Sequence, residues 1–229
     1  MGYNRFQHEL KITEARILPS LKRNNRSPQT GQLVNIAHEL KRHAPFTALG
    51  ALSGIAIMAL VVLIGPSSHV QHIVFHALHP LHITLSAIVT TALYRRYGGG
   101  IWAAVVIGFV GSVAICTLSD IVFPYLGGLL LGASISLHVC FIEHPWFIIP
   151  AAFAGIALGL LAPETRFPHA GHVLLSTWAS LFYLTAYGVT DWLPLLPLVF
   201  VVLFLAVWIP CCTSDIVFPL LFRKGPEHH

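Results

Sequence analysis

Two polar motifs occur twice in this chain, in the same order, among long apolar runs. His76-Ala77-Leu78-His79 returns as His169-Ala170-Gly171-His172, and the stretch SDIVFP that contains Asp120 returns around Asp215. Histidines three residues apart lie on one face of a helix, and imidazole with carboxylate groups forms mixed N/O sites for transition metals. The candidate metal ligands are therefore His76, His79, His169, His172, Asp120 and Asp215.

The ion that this ligand set predicts is a divalent transition metal: zinc, manganese, iron or copper. Four histidines and two aspartates exceed the needs of a four-coordinate ion, and would suit one octahedral ion or two ions. Asp120 and Asp215 each follow a long apolar run, where an acid is costly and a functional role is the default hypothesis. The alternative is structural, with histidines that begin helices at a wet interface and aspartates that cap helix ends.

Three further groups of polar residues lie near these motifs. His82 makes a second pair with His79 at the same spacing, but Leu175 takes the matching place in the second copy. Cys211-Cys212 offers soft ligands, although small buried thiols are the simpler interpretation. The last group is either an ion entry or exit site or interfacial structure, and it comprises His138, Cys140, Glu143 and His144.

The composition indicates an all-α polytopic membrane protein. Hydrophobic residues make up 55% of the chain and charged residues only 10%, whereas soluble domains carry about 25% charged residues. Apolar runs long enough to cross a bilayer recur from residue 45 onward, and they are continuous, unlike the alternating strands of a β-barrel. Eight of the thirteen Lys and Arg residues precede Pro45, which indicates a cytoplasmic segment attracted to anionic lipid and not a nucleic-acid surface.

The chain also shows an internal duplication. Besides the two motifs, His43-Ala44-Pro45-Phe46 resembles His144-Pro145-Trp146-Phe147, and Gly54-Ile55-Ala56 matches Gly155-Ile156-Ala157. Each copy holds three apolar runs. The predicted organisation is a basic N-terminal segment at 1–43, a first three-helix repeat at 44–126, a linking helix at 127–143, a second three-helix repeat at 144–221 and a tail at 222–229.

The topology depends on whether residues 122–142 cross the membrane. If they do, there are seven crossings and the repeats are parallel, which places both copies of each motif on one side; we favour this plan on that ground. If the segment is re-entrant, there are six crossings and the repeats are inverted. The second plan places all thirteen Lys and Arg residues in the cytoplasm, as the positive-inside rule favours.

The function expected from these features is a permease or binder for a divalent transition metal, in a bacterial inner (plasma) membrane with a cytoplasmic N-terminus. Its partners would be the bilayer and the ion, either as a homo-oligomer or within a larger membrane complex. The chain lacks the HExxH, GxSxG and Walker signatures, so an enzyme is less expected. The alternatives are a membrane-embedded metal-dependent hydrolase and a subunit that holds a cofactor for a larger complex.

Overall fold

A computed structural model describes residues 28–96, 99–161 and 166–210 of the chain. This part is mostly helical, as predicted. The contacts described below lie within residues 39–210, which belong to one compact unit, whereas residues 28–38 belong to another. The helices are α1 (Pro28–Ile64), α2 (Ser68–Arg96), α3 (Ile101–Leu130), α4 (Cys140–Glu143), α5 (Pro145–Leu161), α6 (Arg166–Tyr187) and α7 (Leu196–Trp208), and two short antiparallel strands are β1 (Ser134–Ile135) and β2 (Gly188–Val189).

Three helical stretches are long and apolar enough to cross a membrane. They are Thr47–Ile64, Ser68–Arg96 and Ile101–Leu130, with mean hydropathies of 2.4, 1.5 and 2.3. At about 1.5 Å per residue, even the shortest covers about 27 Å, close to the hydrocarbon thickness of a bilayer. Large apolar side chains such as Leu63 and Trp102 are exposed on these stretches, as a lipid-facing surface requires. α5 and α7 are apolar but shorter.

Helix α2 lies at the centre of this unit and packs against α3, α5 and α6. Helix α5 approaches it closely, because Gly155 and Gly159 present a backbone without side chains to it. A Cβ atom built on Gly155 would lie 2.3 Å from Thr84 O, and one on Gly159 would lie 2.7 Å from Ile88 O. Small residues four apart let helices in membranes approach closely, so this glycine pair fixes how near α5 lies to the histidines of α2.

Replacing Gly155 with alanine should therefore destabilise the fold. The added methyl group would overlap the Thr84 carbonyl and force α2 and α5 apart, at a cost of about 1–3 kcal/mol. The measurement is the thermal unfolding midpoint of the purified protein in detergent. Gly100→Ala is the matched control, because nothing lies within 4 Å of a Cβ at that position. Equal midpoints for the two variants would contradict the close packing.

The linking helix predicted over 127–143 does not form as one helix. α3 ends at Leu130, and Gly132 adopts a positive φ of 77°. Ala133 N–H then donates to Gly128 O and Gly132 N–H to Leu129 O, which is the Schellman arrangement that ends many helices at a glycine. β1, a loop and α4 follow. The number of membrane crossings and the repeat stay predictions.

Both ends of this linking segment meet the same end of the helical unit. β1 pairs with β2, directly after α6, and the ring of His144 lies 5.0 Å from that of His76, in the first half of α2. The start of α2 and the end of α6 are themselves close, because the His72 and Tyr187 rings are 4.5 Å apart. The segment therefore leaves α3 and returns to α5 at one end.

Candidate functional site

Asp120 lies at the centre of a fully buried polar cluster. The sequence predicts that this acid closes an apolar run near water, but α3 continues to Leu130 and the side chain has no exposure. Its Oδ1 accepts hydrogen bonds from Ser119 Oγ at 2.8 Å and Ser176 Oγ at 3.0 Å. Its Oδ2 lies 2.8 Å from His79 Nδ1 and 2.7 Å from His82 Nδ1. We call Asp120, His79, His82 and the two serines the inner cluster.

A π-helical turn, Leu118–Val122, places Asp120 in this cluster. In a regular α-helix the ring of Pro124 would clash with the carbonyl four residues earlier, and proline has no N–H to donate. The wider turn changes the pairing, so that Phe123 N–H donates to Leu118 O. Ser119 O then lacks its helical donors and instead accepts from Ser180 Oγ at 2.9 Å. Single π-helical turns are frequent at functional sites.

The Asp120 carboxylate fixes the tautomers of both histidines. Because an ionised carboxylate only accepts hydrogen bonds, His79 and His82 each carry a proton on Nδ1 and direct Nε2 away. His79 Nε2 is buried and has no hydrogen-bond partner. His82 Nε2 lies 3.7 Å from Cys116 Sγ, and the ring of His172 lies edge-on to His82 at 5.0 Å. Helices α2, α3 and α6 thus all contribute to one polar centre.

A second histidine group lies beside the inner cluster. The ligand nitrogens of His76, His138 and His144 all lie within 4.8 Å of one another, so these three side chains could hold a metal ion. We call them the His triad. His76 comes from α2, His138 from the loop after β1, and His144 from the residue that precedes α5. The ring of Phe75 contacts both sites, at 5.4 Å from His76 and 5.5 Å from His79.

Hydrogen bonds orient two members of the triad for ligation. His76 Nδ1 donates to His72 O at 2.8 Å, and His138 Nδ1 donates to Glu143 Oε2 at 2.8 Å. Each Nε2 therefore carries a lone pair. His76 Nε2, His138 Nε2 and His144 Nδ1 are all buried and have no hydrogen-bond partner in the described part of the chain. Metal-bound histidines usually donate their other N–H to a carboxylate or carbonyl in this way.

The environment of the linking segment favours nitrogen ligands over sulfur. Burial lowers the pKa of His138, although the Glu143 carboxylate opposes this effect, so the ring stays neutral and able to ligate at pH 7. Burial raises the pKa of Cys140 to about 12, so this thiol is protonated and is not a thiolate ligand. Tyr187 stacks on His138 at 4.7 Å and shields one side of the triad.

The predicted ligands fall into two groups. His79, Asp120 and His172 come together in and beside the inner cluster, whereas His76 lies in the His triad. The side chain of His169 and the whole of Asp215 lie outside the described residues, and so do Cys211 and Cys212. The motif pair alone did not indicate His138 and His144 as partners of His76, although the polar group that contains them was a visible signal.

Comparison with family models, with curated proteins and with solved structures gave no match. Any function must therefore be argued from the two sites themselves.

Glu143 should set the affinity of the triad through His138. Glu143→Gln removes the carboxylate that stabilises the Nδ1–H tautomer of His138 and raises the basicity of its ligating nitrogen. Loss of such a partner weakens metal binding roughly 10- to 100-fold. Because the Glu143 side chain is 48% exposed, we expect the lower end, about 10-fold, by titration calorimetry with Zn²⁺. Asp191→Asn is the matched control. Within the described residues, this carboxylate accepts one hydrogen bond, from Leu193 N–H. Unchanged affinity in Glu143→Gln would exclude this role.

Proposed function

We propose that the protein is an integral membrane permease or binder for a divalent transition metal, and that the ion binds at the His triad. Two observations carry the proposal: each of the three imidazoles offers a ligand nitrogen within 4.8 Å of the others, and each ring has a buried nitrogen without a hydrogen-bond partner among the described residues. Burying such nitrogens unpaired is costly, and a bound cation would satisfy all three at once. Neutral imidazoles are typical ligands for zinc and its neighbours in the first transition series.

The inner cluster is less suited to a metal ion than the triad. Both oxygens of Asp120 already accept two hydrogen bonds each, so an ion on the carboxylate would have to displace serine or histidine donors. Both histidines bond to the same oxygen through Nδ1, so their Nε2 atoms point away from the carboxylate. We therefore assign the ion to the triad.

A gradient of burial along α2 supports permeation. His69, His72, His76, His79 and His82 follow one another at helical spacings, and their burial rises from exposed at His69 through intermediate at His72 and His76 to buried at the last two. Thirteen residues of helix span about 20 Å. Intramembrane histidines and acids commonly mark ion or proton pathways, so this line would lead an ion from the surface to the triad and toward the inner cluster.

We further propose six membrane crossings with inverted halves, in place of the parallel seven-crossing plan. Support comes from the linking segment, which leaves and returns at one end. The N-terminal segment, the connections around Arg95 and Arg166 and the C-terminal tail would then all be cytoplasmic, together with every Lys and Arg. The triad would lie toward the opposite, external side.

This plan predicts that the two termini lie on the same side of the membrane. Reporter fusions that are active only in the cytoplasm should be active at both the N-terminus and the C-terminus, and a fusion within the 136–139 loop should be inactive. Activity at the N-terminus alone would restore the seven-crossing plan.

The triad would also suit hydrolysis, because three histidines leave a fourth position where zinc can hold and activate water. Binding measurements cannot separate the two functions, but flux can. In sealed vesicles a permease moves ions across the membrane, and a hydrolase does not.

Removal of one triad ligand should abolish metal binding. We expect purified wild-type protein to bind about one Zn²⁺ or Co²⁺ per chain by elemental analysis after desalting, and His138→Ala to bind none. His69→Ala is the control, because it removes an exposed histidine from the same helix as His76. Uptake into proteoliposomes should likewise be lost in His138→Ala. Wild-type protein without a stoichiometric metal, or His138→Ala that retains one, would refute the proposal.

A further inference from the structure

The inner cluster poses a charge problem that its hydrogen bonds do not solve alone. Asp120, His79 and His82 have no exposure to solvent. With the carboxylate ionised and both imidazoles neutral, the cluster would carry one negative charge in a buried site, at a large desolvation cost. A single added proton on one imidazole makes it neutral, because imidazolium and carboxylate then form an ion pair.

Geometry favours His82 as the holder of that proton. Both imidazoles already donate Nδ1–H to Asp120, so an added proton must go on an Nε2 atom. His82 Nε2 lies 3.7 Å from Cys116 Sγ, which can accept it. His79 Nε2 is buried and has no hydrogen-bond partner among the described residues. A proton on that atom would therefore be an unsatisfied donor.

Resting on the proposed function, we propose that the inner cluster holds one exchangeable proton, on His82 as an ion pair with Asp120, and that binding of a divalent cation at the His triad releases it. The step is balanced: the cation binds to neutral imidazoles, the His82 N–H bond breaks, and the proton passes to water. The ligand of the inner cluster is thus a proton, and the two sites bind their cations in competition.

The groups facing this ion pair come from three helices and the linking segment. Helix α2 contributes His79. Helix α3 contributes Cys116 and Ser119, and helix α6 contributes His172 and Ser176. In the linking segment, burial and, after it, the charge of Asp120 raise the pKa of the Cys140 thiol. Helix α7 also packs against the π-helical turn, and its residues, Leu196–Trp208, include no titratable side chain. No lysine or arginine side chain in the described part of the chain bonds to Asp120, so histidine supplies the compensating charge.

Electrostatics couples the two sites. His76 and His82 are separated by six residues of α2, a rise of about 9 Å, and the Phe75 ring packs against His76 and against His79 between them. Two like charges at such a distance repel strongly where water is excluded. A divalent ion on the triad therefore favours loss of the inner proton, and by reciprocity the inner proton weakens ion binding.

The test is the pH dependence of Zn²⁺ affinity, measured by titration calorimetry on the full-length protein in detergent from pH 6 to 9. Protonation of the triad contributes to this dependence in every variant, so the comparison between variants isolates the inner cluster. If one proton leaves His82 per ion, the slope of log Kd against pH should differ by about one, a tenfold change per pH unit, between wild type and a variant without the exchangeable proton.

Asp120→Asn removes the counter-charge and should show the shallower slope. His82→Asn gives a second test that does not depend on the folding of the first variant, because an asparagine amide can still donate to Asp120 near the position of Nδ1. Asp191→Asn is the matched control for Asp120→Asn, because it removes an exposed carboxylate away from both sites, and it should keep the wild-type slope. Slopes equal to wild type in both cluster variants would overturn the proton release while leaving the metal site intact. Wild-type protein that binds no Zn²⁺ would overturn the proposed function, and the coupling with it.

Discussion

Burial of the Asp120 carboxylate is the constraint on which this helical unit depends. A carboxylate taken out of water costs several kcal/mol unless donors and an opposite charge replace its hydration. Here donors come from α2, α3 and α6, so the three helices must meet at one depth and in one rotation. The π-helical turn in α3 is a condition for that meeting, because it carries Asp120.

The two polar sites divide the chemistry between them. The triad offers neutral nitrogens whose lone pairs accept no hydrogen bond in the described residues, and such nitrogens suit a borderline cation. The inner cluster offers a carboxylate whose lone pairs already accept hydrogen bonds. It suits a proton held on one of its imidazoles better than a metal ion. Since α2 carries His76 for one site and His79 and His82 for the other, movement of this helix would affect both. The proposed coupling between the two sites would act through this helix.

The sequence predicted the helical class and the apolar stretches, and it singled out His79, Asp120 and His172, which the fold brings together. It did not place His76 with the linking segment. Residues three apart on a helix point about 60° apart, so His76 and His79 can face different neighbours even though they share a broad face. Which neighbour each meets depends on where the linking segment folds.

The path of the linking segment is where the fold departs most from the predicted architecture. Residues 122–142 are apolar and uncharged, and length and hydropathy alone describe them as a crossing helix. A single backbone feature, the positive φ of Gly132, ends α3 and lets β1 pair with β2. A glycine inside an apolar run is compatible with either outcome, so pattern alone could not decide between a helix and a turn. The place of His138 in the triad follows from this turn.

The most direct test of the metal site is X-ray absorption spectroscopy of the purified protein loaded with Zn²⁺. A triad-bound ion should show three imidazole nitrogens at about 2.0–2.1 Å, a light fourth ligand and no sulfur. Sulfur scatterers at about 2.3 Å, or a spectrum of fully hydrated zinc, would contradict binding at His76, His138 and His144.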